Sequence, residues 1–291
     1  MRKVFAILII LIVAISCRRT SNDSGERIIT VSIAPYEYFV KQIGGSDFEV
    51  NIMVPPGANP HIYEPYPGQI TKLAKSVAYI SNGYMGFEMT WLDRFYEMNK
   101  SMVKLSLGDK ITPIASEHVH EGEHTEGTDP HYWVSPKCAA IMASEVKKLL
   151  CNLNPQDSSV YQANYERLAV TISETDKKAK QYFSGIENRT FMIYHPNLAY
   201  LARDYNLEEV AVEFEGKEPP PSRLKELIDL ARGKGINTVF VQREYDSKNA
   251  KAIAREIGAE VAIIDPLSAD WLKSTTEILE ALKKSLIESK K

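Results

Sequence analysis

The sequence predicts an α/β protein with two lobes, each built on a small parallel sheet with flanking helices, the two bridged by one long helix. Three observations predict this. Short β-branched runs alternate with helical periodicity in two separate series along the 291 residues, the pattern of parallel strands joined by crossover helices. One uninterrupted amphipathic stripe lies between the two series. A hydrophobic content of 44% over this length can bury a substantial core and points to two domains.

The first series runs Ile28–Ile33, a helix near Tyr36–Ile43, Phe48–Val54, a helix near Pro67–Lys75, Val77–Ser81 and a helix near Gly86–Tyr96. Two further strand-like runs follow, Ser101–Leu107 and Ile111–Ile114, and then a helical segment, Pro136–Leu153. In the stripe, Tyr161, Tyr165, Leu168, Ile172, Thr175, Ala179 and Tyr182 step alternately by four and three residues, one face of a helix. Asn154 is placed to cap its start, Pro155 sits in the first turn, and Gly185 lies just past the end. A helix of about 29 residues is a rod of about 43 Å, long for a core helix and suited to a strut across two lobes. The alternative is a broken pair of shorter helices.

The second series runs Thr190–His195, a helix from Leu198, Glu209–Glu213, a helix near Arg223–Lys234, Thr238–Gln242, a helix near Ser247–Ile257, and Glu260–Asp265. The expected organisation is therefore an N-terminal lobe over 27–153, the linking helix over 154–185 and a C-terminal lobe over 186–291.

Residues 1–17 read as an export signal: Arg2 and Lys3 precede an apolar run from Val4 to Ile15 that is short for a membrane span. The run ends at Ala14-Ile-Ser-Cys17, which resembles the bacterial lipobox, with Ala14 where that box prefers Leu. Cys17 would then be the lipidated N-terminus and residues 18–26 a polar tether. An uncleaved anchor and an ordinary signal peptide are the alternatives. Cys138 and Cys151 both fall in the Pro136–Leu153 helix. Thirteen residues of helix separate them by about 20 Å, beyond disulfide reach, so both are expected as free thiols.

The formal net charge is −3, and loss of the signal makes it more negative. No basic stripe offers a nucleic-acid surface.

Three histidines and an aspartate stand at or just past the C-terminal ends of strand-like runs. His61 follows Phe48–Val54, His131 lies in the loop after Ser101–Leu107 and Ile111–Ile114, His195 closes Thr190–His195, and Asp265 closes the last strand. That sheet edge is where open α/β folds bind ligands. Three imidazoles and one carboxylate also form a donor set that tetrahedral Zn²⁺ accepts. Pro55, Pro56 and Pro60 stiffen the loop presenting His61, and Asp129-Pro-His-Tyr-Trp-Val-Ser-Pro136 repeats that logic for His131. Glu64 is a candidate acceptor for the His61 ring N–H. On local grounds alone, each histidine could equally be structural or a surface residue.

The segments Val54-Pro-Pro-Gly-Ala-Asn-Pro-His-Ile-Tyr-Glu-Pro, Asp129-Pro-His-Tyr-Trp, Tyr194-His and Ile264-Asp-Pro-Leu, with Gly216-Lys-Glu-Pro inside Glu213–Leu224, occur in order. In these the chain resembles the solute-binding lipoproteins of bacterial zinc/manganese ABC importers, from about Ile29 to the C-terminus, and among them the zinc-type periplasmic proteins. The resemblance implies a metal in the cleft between two lobes, with His61 and His131 from one and His195 and Asp265 from the other. It also implies a histidine third ligand in zinc-type members and often Glu in manganese-type ones. His195 therefore favours Zn²⁺ over Mn²⁺, since imidazole suits the softer ion. Gln242-Arg-Glu-Tyr departs from the Glu-Pro-Gln-Phe common in the family and puts the shape of that loop in question. His118, His120 and His124 lie in a polar, acid-rich stretch where zinc-type relatives often carry a histidine-rich loop, a candidate for secondary metal capture.

The implied function is an extracytoplasmic zinc-binding protein, lipid-anchored to a bacterial membrane or periplasmic. It would act as a monomer that delivers Zn²⁺ to an ABC permease membrane subunit with its cytoplasmic ATPase. An enzyme is not expected. A zinc hydrolase needs a coordinated water and a nearby base, and the His-Glu-x-x-His match that occurs, His120-Glu-Gly-Glu-His124, falls in the polar stretch without helical periodicity, not on the helix that chemistry requires. A manganese-binding member of the family, and a metallochaperone or adhesin lipoprotein, are the other readings.

Overall fold

The computed structural model describes residues 27–115, 127–213, 219–245 and 247–288. Cys17 with the signal and tether, His118, His120 and His124, and Gly216-Lys-Glu lie outside the described residues.

The first series folds as β1 (Ile28–Ile33), α1 (Ala34–Gly44), β2 (Glu49–Val54), α2 (Pro67–Leu73), β3 (Ala78–Ser81), α3 (Gly86–Met98) and β4 (Val103–Ser106). Every strand pair is parallel, in the order β2-β1-β3-β4. β1 is buried at all six positions, as a central parallel strand covered on both faces must be.

The run Ile111–Ile114 does not form the strand expected of it. Pro113 has no N–H to give a ladder. The Thr112 carbonyl instead accepts from Arg203 at 3.0 Å, and the Ile114 N–H donates to the Tyr200 hydroxyl at 3.2 Å. The chain makes only an isolated antiparallel bridge between Ala115 and Thr128.

Helix α4 (Pro136–Leu153) starts where expected. The Ser135 hydroxyl accepts from the backbone N–H groups of Lys137 and Cys138, and Pro136 occupies the first turn. Cys138 and Cys151 are both free, Cys138 buried. Next comes α5 (Ser158–Phe183), a single helix of 26 residues entered through a 3₁₀ turn, Pro155–Asp157. The predicted Asn154 cap is absent. Its amide nitrogen donates to Asp157 at 2.6 Å and to the Tyr161 hydroxyl at 2.9 Å, rather than its oxygen accepting a backbone N–H. The stripe is the buried face: Tyr161, Leu168, Ile172, Thr175 and Ala179 are inside, with Tyr165 and Tyr182 half-buried.

The second series gives β5 (Thr190–Ile193), α6 (Ala199–Tyr205), β6 (Glu208–Ala211), α7 (Pro221–Gly233), β7 (Thr238–Gln242), α8 (Ser247–Ile257) and β8 (Glu260–Ile264). These strands are again all parallel, in the order β6-β5-β7-β8. A last helix, α9 (Trp271–Glu288), was not anticipated. Its buried face holds Ser274, Thr275 and Ser285 among Trp271, Ile278, Leu279 and Leu282, which blurs the apolar period. Lys283 Nζ lies 4.3 Å over the Tyr182 ring of α5.

One core runs through both halves. It includes Ile29, Tyr36 and Leu150 from the first half, Ile172 from α5, and Phe191, Phe240, Trp271 and Leu279 from the second. A smaller cluster under α7 and α8, with Met192, Leu227, Val239 and Ala254, is separate. Two buried tryptophans join the halves directly: Trp133 Nε1 donates to the Pro266 carbonyl at 2.8 Å, and Trp271 Nε1 donates to the Trp133 carbonyl at 2.7 Å. Burying an indole N–H without an acceptor is costly, so this reciprocal pair fixes how the halves meet. Among the described residues, no helix is long and apolar enough to cross a membrane.

Candidate metal centre

His61, His131 and His195 converge where the two halves meet. Their ligand-capable nitrogens all lie within 4.8 Å of one another. The ring centroids are 5.7 Å apart for His61–His131, 5.1 Å for His61–His195 and 5.4 Å for His131–His195, each pair edge-to-face. His131 and His195 are buried, and His61 is half-buried. Pro60, Trp133, Asn197, Glu244, Tyr245 and Leu267 line the same cavity.

Each imidazole is held by its own local chemistry. Asn59 Oδ1 accepts the His61 backbone N–H at 2.9 Å. The loop packs so closely on the start of α3 that a Cβ at Gly86 would stand 3.3 Å from the His61 carbonyl oxygen. Asp129 Oδ1 accepts the His131 backbone N–H at 2.7 Å and binds its ring Nδ1 at 2.9 Å. Burial acts to raise the Asp129 carboxyl, but the His131 charge and hydrogen bonds outweigh it and hold the group below its ordinary value. The His131 loop is anchored from below by Asn82, whose amide donates to the Pro130 carbonyl at 2.9 Å. Asn82 is itself fixed by buried Glu88, which accepts the N–H groups of Asn82 at 2.7 Å and Gly83 at 2.6 Å.

His195 lies just past β5. Its Nδ1 meets Glu213, its carbonyl accepts from Gln242, and its ring stacks on Tyr245 at 4.7 Å and 19°. With Nδ1 engaged in both buried histidines, Nε2 is the nitrogen each could offer a cation.

Asp265 stands at the end of β8 beside this group but outside it: among the described residues, the cluster able to hold an ion is the three histidines. Its Oδ2 pairs with Arg243 at 2.9 Å, while Oδ1 is buried with no hydrogen bond. Glu64, read as the acceptor for His61, is exposed. The carboxylates that meet an imidazole nitrogen are Asp129 and Glu213. Asp129 opens the Asp129-Pro-His-Tyr-Trp motif, but Glu213 lies 18 residues from its histidine and nothing local marks the pairing.

Sequence reasoning also missed Glu244. It follows β7 at the same strand edge, and that edge rule was the available signal. Its Oε2 is buried with no hydrogen bond, and burial, with the nearby Asp265 charge, pushes the carboxyl up to about 7. Two buried carboxylate oxygens without protein partners, beside three converging imidazoles, fit a cation.

Known proteins share this architecture. A family profile described as zinc-uptake complex component A, periplasmic (ZnuA), matches residues 29–285. A crystal structure of a ZnuA superposes with a TM-score of 0.83 at 35% identity, covering 90% of this chain and 99% of that one. The zinc-binding protein AdcA of Streptococcus pyogenes serotype M3 is 24% identical over 284 residues, 89% of this chain and 54% of AdcA, so the chain spans about half of that relative. The iron-binding protein YfeA of Yersinia pestis is 29% identical over 237 residues, 79% of this chain and 75% of YfeA. With both sheets and the histidine-bearing loops inside the matched range, the chain belongs to the ZnuA family of periplasmic, metal-binding solute-binding proteins.

Proposed function

We propose that this protein captures Zn²⁺ outside the cytoplasmic membrane and delivers it to an ABC permease membrane subunit powered by a cytoplasmic ATPase. The observation that carries this reading is the convergence of three imidazoles, drawn from both halves, with ligand atoms within 4.8 Å of one another. Asp265 is proposed as the fourth ligand, through the Oδ1 that has no hydrogen bond. A shell closed by four protein ligands leaves no position for an activated water, which suits carriage rather than hydrolysis. Nitrogen-rich donors favour zinc over manganese, and the zinc-binding name of AdcA supports the same ion.

In this reading 27–153 and 186–291 are the two binding lobes and 154–185 the strut. Cys17 carries the lipid, and His118, His120 and His124 form a weak capture loop. The single core and the tryptophan pair imply that release at the permease uses a small change in the position of the lobes.

The test is metal content by mass spectrometry after native purification, followed by calorimetric zinc titration of the wild type and His195→Ala. The expected results are zinc in the purified protein and a loss of orders of magnitude in affinity for the variant, with the fold retained. Manganese or iron in the native protein would overturn the zinc assignment.

A further inference from the structure

Glu244 belongs to the turn that follows β7, at the same sheet edge as His195 and Asp265. Its side chain lines the cavity together with His61, His131 and His195. Oε2 is buried there and accepts no hydrogen bond, an arrangement that costs stability unless something else satisfies the oxygen. Asp265 is placed differently. It is not among the residues lining the cavity, and its Oδ2 is engaged by Arg243 at 2.9 Å. Adjacent residues of one turn thus do two things: Arg243 holds Asp265, and Glu244, which like Asp265 stands outside the group of atoms lying within 4.8 Å of one another, lines the cavity with the imidazoles. Tyr245 holds the turn against His195 by stacking on its ring at 4.7 Å.

We propose that Glu244 supplies an oxygen ligand to the cation held by His61, His131 and His195. The inference rests on the proposed reading of the histidine cluster as a metal site and adds a ligand to it. The consequence is a donor set richer in oxygen than three histidines and Asp265 alone. Such a set widens acceptance toward harder divalent ions than zinc.

The experiment compares wild type, Glu244→Gln, Glu244→Asp and His195→Ala. Zinc affinity is read by competition with a chelator, and the donor set by the visible spectrum of the Co²⁺-loaded proteins. Glu244→Gln removes the charge, and Glu244→Asp keeps the charge but withdraws the oxygen. Each is expected to keep one binding site, lose about tenfold or more in zinc affinity, at least what loss of an outer-shell partner costs, and shift the Co²⁺ bands in position and intensity. Wild-type affinity and an unchanged Co²⁺ spectrum in both Glu244 variants would overturn the assignment and leave the histidine site standing. Wild-type affinity in His195→Ala would overturn the site itself, and this inference with it. A merely structural role for Glu244 predicts a change in melting temperature with the Co²⁺ spectrum unmoved, which also counts against ligation.

Discussion

A histidine is oriented as a ligand when its other ring nitrogen is held, and two carboxylates do this for His131 and His195. Asp129 orients His131 through both its backbone and its ring, and Glu213 takes Nδ1 of His195. Each bond selects the tautomer in which Nε2 is the acceptor nitrogen, and would make the ring a better donor to a cation. The ion preference also belongs to this scale. Replacing His195 with Glu exchanges a borderline nitrogen for a hard oxygen. The variant is expected to bind zinc more weakly and to shift the Zn/Mn preference toward manganese in competition titrations. An unchanged ratio would mean that selectivity is set elsewhere.

At the scale of elements, the side chains lining the cavity hang from the C-terminal edge of a strand or the loop beyond it, and the central parallel strands β1, β3, β5 and β7 are buried and so hold that edge firmly. Helix α9 completes the arrangement from outside. Trp271 at its start is 2% exposed, packs against Phe39 at 5.5 Å and Tyr38 at 6.0 Å, and donates to the Trp133 carbonyl. Trp271→Ala removes that packing and leaves the Trp133 carbonyl without its donor. The expected cost is about 3–5 kcal/mol, typical of a large aromatic lost from a core, measured as a lowered midpoint in urea unfolding. Because Trp133 adjoins His131, zinc affinity should fall with it. A midpoint within error of wild type would show that α9 is docked by its aliphatic face alone. The strands and crossover helices could be read from periodicity. α9 carries the same period in Ile278, Leu282 and Leu286, but two hydroxyls on its buried face find their partners only in the fold: Ser274 donates to the Asp265 carbonyl at 2.6 Å and Ser285 to Asn237 Oδ1 at 3.4 Å.

For the whole molecule, a metal bound by residues from both halves is a cross-link between them. Zinc that binds only the folded protein stabilises it by about 4.1 kcal/mol at a thousand times its dissociation constant. Differential scanning calorimetry is therefore expected to show a clear rise in melting temperature with zinc, reversed by chelator. The rise should shrink as pH falls through the histidine range, because binding requires neutral imidazoles and protons compete with the ion. A melting temperature indifferent to zinc at neutral pH would count against a site shared by the halves. With one core running from β1 to α9, unfolding should be a single transition.

The sequence by itself determined both parallel sheets, the single long helix, the free cysteines and the three histidines, because each is written in local pattern: period two, period 3.6, or a motif on a stiffened loop. Tertiary structure alone decided what surrounds those histidines. Glu213 reaches His195 from just past the neighbouring strand β6, Arg243 takes one oxygen of Asp265, and Glu244 lines the cavity from a turn whose spelling announced only an altered loop. The physical reason is that a carboxylate's role is set by which charge it meets, and the fold brings those charges together from strands far apart in the chain.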